Sequence, residues 1–291
     1  MAQSPAHRFG QIIGEVLETA TLPLLTVFAK EHGLYLDQKG KRPCRSGRKC
    51  TWRDSNGNSH DLDYVLERNG TPEKLGSPVA FIETAWRRYT KHSRNKVQEI
   101  QGALIPLTET YRSCGPFLGA ILAGVFTEGA LTQLKSLGFT ILYFPYDSLV
   151  EVFKKHGIDA AFSEETPDRV FARKVRAYKA MPLDARQAMA AELLKSNRTQ
   201  VDQFMASLTT VVERQICQII ILPLHGKTFE LATVEEAVRF VRQYKDGECP
   251  GAVDRYEILI RYNNGNEIKG SFKLKEDAIR YLRSFQPLST T

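Results

Sequence analysis

Ten residues from Phe117 to Phe126, "FLGAILAGVF", carry no charged or polar side chain. An apolar run of this length, bounded by turn signals, reads as a strand buried on both faces. Such strands belong to the parallel part of a sheet that helices cover on each side. The flanking sequence fits. "SRNKVQEIQGALIPLTETY" reads as a helix with Ser93 as its N-cap and Val97, Ile100 and Leu104 on one face. "EGALTQLKSLG" reads as a helix, "FTILYFPY" as a strand, and "DSLVEVFKKHG" as a helix capped by Asp147 or Ser148 and closed by Gly157.

Upstream, "FGQIIGEVLETATLPLLTVFAKEHG" has helical recurrence of Ile12, Ile13, Val16, Leu17, Leu22, Leu25 and Phe28, with Pro23 as a break or kink and Gly33 as the C-cap. "DQKGKRPCRSGRKC" reads as a loop. "KCTWRDS" and "HDLDYVLER" flank an Asn-Gly turn and read as a hairpin, and "VAFIETAWR" is a third strand. The order α-β-β-β-α-β-α-β-α predicts an α/β (α+β) fold with a mixed sheet flanked by helices, spanning residues 1–165. Residues 166–215 read as a helical connector whose apolar faces serve either the sheet or a dimer. Residues 216–291 hold a faint internal repeat, strand–Gly turn–strand–helix twice over, in which "EEAVRFVR" aligns with "EDAIRYLR". This ββα-ββα module reads as a packing or dimerisation unit. Its cations Arg239, Arg242, Arg261, Lys269, Lys273, Arg280 and Arg283 raise a nucleic-acid alternative.

The net charge of +7 over 291 residues favours a polyanionic partner. No run of about 20 apolar residues marks a membrane span, and no signal peptide is apparent at the N-terminus. Five scattered cysteines suit thiols in a reducing cytoplasm. Cys44, Cys50 and His60 lack the spacing and the fourth ligand of a zinc ribbon. No P-loop, GxGxxG strand–helix turn, GxSxG or HExxH is present.

Chemistry concentrates in two neighbouring strands. Asp61 and Asp63 alternate onto one face of "HDLDYVLER", and Glu83, Ala85 and Arg87 onto one face of "VAFIETAWR". If the strands pair, an Asp and Glu83 converge where a hard divalent cation binds carboxylate oxygens. With its N-terminal helix, meander bearing Asp then Glu, and crossover helix, the first 160 residues resemble the PD-(D/E)XK nuclease superfamily, type II restriction endonucleases among them. Asp63 matches the Asp of that pattern, without the preceding proline, and Glu83 the acid in "IET".

The resemblance implies a Mg²⁺-dependent DNA endonuclease, with Mn²⁺ as a substitute, acting in the cytoplasm on double-stranded DNA as a homodimer in restriction or other defence. It also implies an additional metal-site acid from the first helix, for which Glu15 is the candidate, with Glu18 three residues on. The motif lysine is absent: its position is Ala85. Three readings stay open. The cation has moved to the following helix, where Lys96 stands three residues before Glu99, with Arg87 or Lys91 as substitutes; or Ala85 was introduced in place of a lysine; or the fold binds nucleic acid or a partner without cutting. "WRRYTKHSRNK" gathers Arg87, Arg88, Lys91, His92 and Arg94 as a phosphate cradle, and Arg45 and Arg48 in the earlier loop are further DNA-contact candidates.

Overall fold

The chain opens with a single 27-residue helix, α1 (Pro5–Glu31). The structure is a computed structural model describing residues 4–224, 227–244 and 254–286, with Lys91 and His92 described for their backbone only. Ser4 caps α1 by accepting the His7 N–H at 3.2 Å, and Pro5 stands in the first turn, where its missing N–H costs nothing. Gly33, at φ 62°, takes the left-handed conformation that ends the helix. Pro23 neither breaks nor ends it. The proline is exposed, and burial of Leu17, Ala20, Thr21, Leu25 and Phe28 on either side of it holds the helix through the one lost hydrogen bond. Contrary to the sequence expectation, α1 is by length and composition apolar enough to cross a membrane; half of the qualifying window is buried inside the protein.

Next come β1 (Leu34–Gln38), β2 (Cys50–Arg53), β3 (Ser59–Leu62), β4 (Tyr64–Arg68) and β5 (Ser77–Arg87). Then follow α2 (Thr90–Thr110), β6 (Phe117–Gly124), α3 (Glu128–Ser136), β7 (Thr140–Pro145) and α4 (Tyr146–Lys155). Five strands form one mixed sheet in the order β1-β4-β5-β6-β7. β1, β4 and β5 are antiparallel neighbours, and β5, β6 and β7 run parallel. β6 is buried at every position, as its apolar run requires.

Several local expectations change. The meander is β1–β4–β5; the Asn-Gly hairpin β2–β3 forms a separate two-stranded sheet. "HDLDYVLER" is thus two strands, broken at Asp63, so Asp61 and Asp63 do not share a strand face. α2 starts at Thr90, and Ser93 lies within it, buried, with its hydroxyl donating to the Thr90 carbonyl at 2.7 Å rather than capping the helix. Neither Asp147 nor Ser148 caps α4, whose N-cap is Pro145.

The chain divides into two compact units, Met1–Thr110 with Pro116–Leu208, and Tyr111–Gly115 with Thr209–Thr291. Of the expected connector, α5 (Asp168–Ala180) and α6 (Leu183–Ser196) pack on α1 inside the first unit, and the division falls within α7 (Arg198–Val212). In the second unit, β8 (Ile216–Pro223), β9 (Phe229–Leu231), α8 (Val234–Gln243), β10 (Tyr256–Tyr262), β11 (Glu267–Phe272) and α9 (Lys275–Arg283) give a sheet ordered β11-β10-β8-β9. The repeat therefore folds as two pseudo-symmetric ββα halves joined through β8 and β10, with Ala237 and Ala278, aligned in the sequence, both fully buried. The two helices run antiparallel. Gln286, beyond the end of α9, donates to Glu235 at the start of α8 at 3.0 Å, and Lys275 at the start of α9 donates to the Tyr244 carbonyl at the end of α8 at 2.7 Å.

One buried ionic network fixes the loop after β1. Arg42, with its side chain 2% exposed, donates to Glu67 through both terminal nitrogens at 2.5 and 3.0 Å, and lies 2.9 Å from Asp37. It also donates to the Thr71 and Lys74 carbonyls, both at 2.8 Å. Glu67 in turn accepts the Gly76 N–H at 2.6 Å. Removing the guanidinium leaves two buried carboxylates facing each other. Arg42→Ala is therefore expected to lower stability by about 3–5 kcal/mol, read as a fall in the urea midpoint followed by circular dichroism.

Candidate active site

β4 pairs with β5 as far as Tyr64 opposite Ile82. One residue beyond, Asp63 stands opposite Glu83 where the ladder ends, and the two side chains take over the hydrogen bonds that β4 no longer supplies. The Asp63 N–H donates to Glu83 Oε1 at 3.2 Å. Asp63 Oδ2 accepts from both the backbone N–H and the hydroxyl of Thr84, each at 2.7 Å. Asp63 and Glu83 are therefore brought together as the sequence predicted, and Thr84, absent from the sequence expectation, orients the first of them. Its signal was its place directly after Glu83.

Glu83 is 7% exposed. Burial, then the negative charge of Asp63, push its carboxyl up to about 8, while Lys96 pulls the other way. Lys96 is thus within electrostatic reach of Glu83. It is held by Glu99 at 3.2 Å, and the same Glu99 oxygen lies 3.8 Å from Arg87. Lys96, Glu99 and Arg87 so form a small charged group beside the carboxylate pair. Ala85 is 5% exposed, so the position where the pattern has its lysine is closed by packing.

The first-helix acid near the pair is Glu18, not Glu15. The Glu18 carboxyl is raised by burial and by Asp63, and Lys39 opposes the shift. Glu15 is turned to Arg8, at 3.0 Å. Glu15 and Glu18 are three residues apart and share a side of α1, but they stand about one turn apart along it and so reach different partners. Asp61, expected beside Asp63, pairs instead with Lys49 and Thr51, both at 2.6 Å.

The expected DNA contacts divide. Arg48 and Arg94 are exposed. Arg45 is withdrawn into the buried network, 2.5 Å from Asp37 and donating to the Gln38 carbonyl at 2.7 Å. Arg88 is spent on structure: it lies 3.9 Å from the Tyr146 ring centre and donates to the Phe162 carbonyl at 2.7 and 3.0 Å. The side chains of Lys91 and His92 lie outside the described residues. His60 is held by Asp54 at 3.0 Å. In the second unit the antiparallel helices set the basic end of each against the acidic start of the other, and Arg261 pairs with Glu267 at 2.8 Å. The repeat's cations are interleaved with acids.

Among the described residues no group of three or more His, Cys, Asp or Glu side chains is placed to hold a metal ion, which includes Cys44, Cys50 and His60. What Asp63 and Glu83 offer is a two-carboxylate site. That suits Mg²⁺, which binds through one or two carboxylates and takes its remaining ligands from water and phosphate. A cation there would also offset the burial of Glu83 beside the charge of Asp63.

No protein-family model matches the chain, and no curated protein matches it. A solved structure described as a protein of unknown function aligns with 68% of this chain and 97% of its own, at 12% identity and a TM-score of 0.28. A likeness that slight bears on neither fold nor site.

The raised Glu83 carboxyl has a stability consequence. Between the ordinary carboxyl range near 4.5 and about 8, the folded chain holds a proton that the unfolded chain has released. Stability contributed by the neutral carboxyl is full below that window and is lost as pH rises through it. Glu83→Gln is expected to keep the Asp63 N–H satisfied and to flatten this loss, measured as urea midpoints at pH 5 and pH 8 without divalent metal. An equal fall in both proteins would show that Glu83 ionises normally.

Proposed function

We propose that the first unit is a metal-dependent nuclease that hydrolyses phosphodiester bonds in DNA. The observation that carries this reading is the Asp63–Glu83 pair at the end of the β4–β5 ladder, with the ammonium of Lys96 in reach of the buried Glu83. The order α1–β1–β4–β5–α2–β6, with the β2–β3 hairpin inserted, supports the resemblance read from the sequence.

Asp63 and Glu83 would hold Mg²⁺, with Glu18 near enough to act on the site electrostatically. A bound Mg²⁺ supplies Lewis-acid stabilisation of phosphate charge and lowers the pKa of water. The protein's own part is positioning and charge. Thr84 fixes the Asp63 carboxylate. Glu99 tethers Lys96, whose ammonium stabilises negative charge as the phosphate is attacked, in the role that a lysine at position 85 would have had. Arg87, beside Glu99, meets the phosphate backbone.

A second reading has its own support. Asp63 already satisfies two donors of Thr84, so the pair also serves as a ladder cap, and a retired nuclease that only binds would keep it for that reason.

Asp63→Asn keeps an acceptor for Thr84 and removes the charge. It is expected to abolish Mg²⁺-dependent plasmid nicking while leaving the fold and salt-sensitive DNA binding intact. Lys96→Ala is expected to slow nicking about 10²- to 10³-fold, as for loss of one transition-state charge stabiliser. Wild-type binding with no nicking in Mg²⁺ or Mn²⁺ would favour the second reading, and full nicking by Asp63→Asn would remove the first.

A further inference from the structure

A cavity of about 420 Å³ opens in the first unit where β5 leads into α2. This lies within the roughly 300–1,000 Å³ typical of small-ligand sites. Its walls are aromatic: Trp86 from β5, Tyr89 before α2, Phe162 from the segment after α4, and Phe171 from α5. α1 contributes only Ala6 and Gly10, and these small residues make the room. A Cβ on Gly10 would meet nothing closer than the Trp86 indole nitrogen, at 3.7 Å.

The cage is built to hold its shape. Phe162 packs edge-on to Phe171 at 5.0 Å and to Phe9 at 5.9 Å. Its N–H donates to the Tyr146 hydroxyl at 2.9 Å, and its carbonyl takes both bonds from Arg88. Lys174, with its side chain 6% exposed, donates to the Asp159 and Ala161 carbonyls at 2.6 and 2.5 Å. Three side chains therefore pin the segment that carries the Phe162 wall. Arg88 supplies its charge to that backbone, and the polar groups at the rim are Ser163, Glu164, Thr166 and Asp168, with the Thr166 hydroxyl accepting the Ser163 N–H at 2.9 Å.

Aromatic walls, an indole N–H and the carboxylates of Glu164 and Asp168 match one chemistry well: a flat heteroaromatic ring with amino or imino N–H groups on its edge. Trp86 lies three residues past Glu83 on the same strand, about 10 Å along it, and on the opposite face. That is the spacing of one or two nucleotides. A strand crossing the end of β5 would leave a phosphate at the carboxylate pair and a base at the cage. We propose that this cavity receives one unpaired nucleobase of a bound nucleic acid, stacked on Trp86 and hydrogen-bonded at its edge by Asp168. The assignment rests on the nucleic-acid reading above and narrows its substrate to DNA with an unpaired or extruded base near the cleavage point.

The chain has two tryptophans, and Trp52 is buried at 2% exposure. In a Trp52→Phe background, Trp86 is the sole indole reporter. Titration with a short single-stranded purine oligonucleotide, without divalent metal, is expected to quench its fluorescence. Gly10→Leu projects a side chain into the cavity and replaces a helical glycine with a better helix former, and its fold is checked by circular dichroism. It should weaken binding roughly 5- to 150-fold, the effect of losing one stacked base. An oligonucleotide with abasic sites should lose the same factor on the unfilled cavity, and Trp86→Phe, read by anisotropy of a labelled oligonucleotide, should retain part of the affinity. Unchanged affinity on filling the cavity, or equal binding of abasic and purine strands, overturns the proposal. The nuclease reading is separable: plasmid nicking that is abolished by Asp63→Asn, together with no effect of Gly10→Leu on oligonucleotide binding, removes the base site alone. Quenching sensitive to Gly10→Leu in a protein that never nicks keeps the base site and removes the nuclease.

Discussion

β5 is antiparallel to β4 on one edge and parallel to β6 on the other, with α1 against one face and α2 against the other. A polar side chain on such a strand can be accommodated only where a neighbour ends. β4 ends at Tyr64, and Glu83 is the first residue of β5 past that point. The same geometry leaves the Thr84 N–H without a strand partner, and Asp63 fills that vacancy with its side chain. The pair is thus required by the termination of a ladder as well as suited to chemistry. An acid that closes a sheet beside another acid is held in place by those hydrogen bonds, and the charge of Asp63 adds to burial in raising the Glu83 carboxyl.

Charge elsewhere in the first unit follows the same economy. Arg42, Arg45, Asp37 and Glu67 are buried together because each cation has at least one acid within 2.9 Å. Arg88 is half-buried because carbonyls and aromatic faces receive it. A basic sequence is therefore a poor guide to a basic surface. Of the arginines near the strand bearing Glu83, Arg87 stays with the acidic group at the site and Arg88 turns to hold the segment after α4. Arg87 is the last residue of β5 and Arg88 the first beyond it, and the two side chains part to different partners.

The elements legible in the sequence were those whose burial is one-sided or complete. β6 announces itself by ten apolar residues, and the ββα repeat by its matched "EEAVRFVR" and "EDAIRYLR". β1 was not legible because "LYLDQ" buries an aspartate, which is affordable only through arginines five and eight residues later. The break at Asp63 was hidden because "HDLDYVLER" alternates smoothly across it; what breaks the strand is a change of partner, from β2 to β1 and β5, and that is a tertiary event. Ser93 read as a cap because caps and first-turn hydroxyls look alike in sequence. Of the site, the two acids were visible from strand alternation and resemblance. Choosing Glu18 over Glu15 needed the rotation of α1 on the sheet, which no local pattern states.

The alanine at position 85 takes on a different meaning in this frame. A lysine on β5 two residues past Glu83 would have to reach its place from a strand position that is packed shut. A lysine on α2 approaches from above and brings its own tether, because residues three apart on a helix face the same way, and Glu99 holds Lys96 at 3.2 Å. β5 continues as far as Arg87, where Gly124 of β6 lies against it. Gly124 is at φ 102°, and a Cβ there would collide with the Arg87 carbonyl. That close approach carries β5 past the carboxylates to Trp86 and into α2. β5 thus presents Glu83 on one face and lines an aromatic cavity with Trp86 on the other, because alternate residues of one strand point to opposite sides.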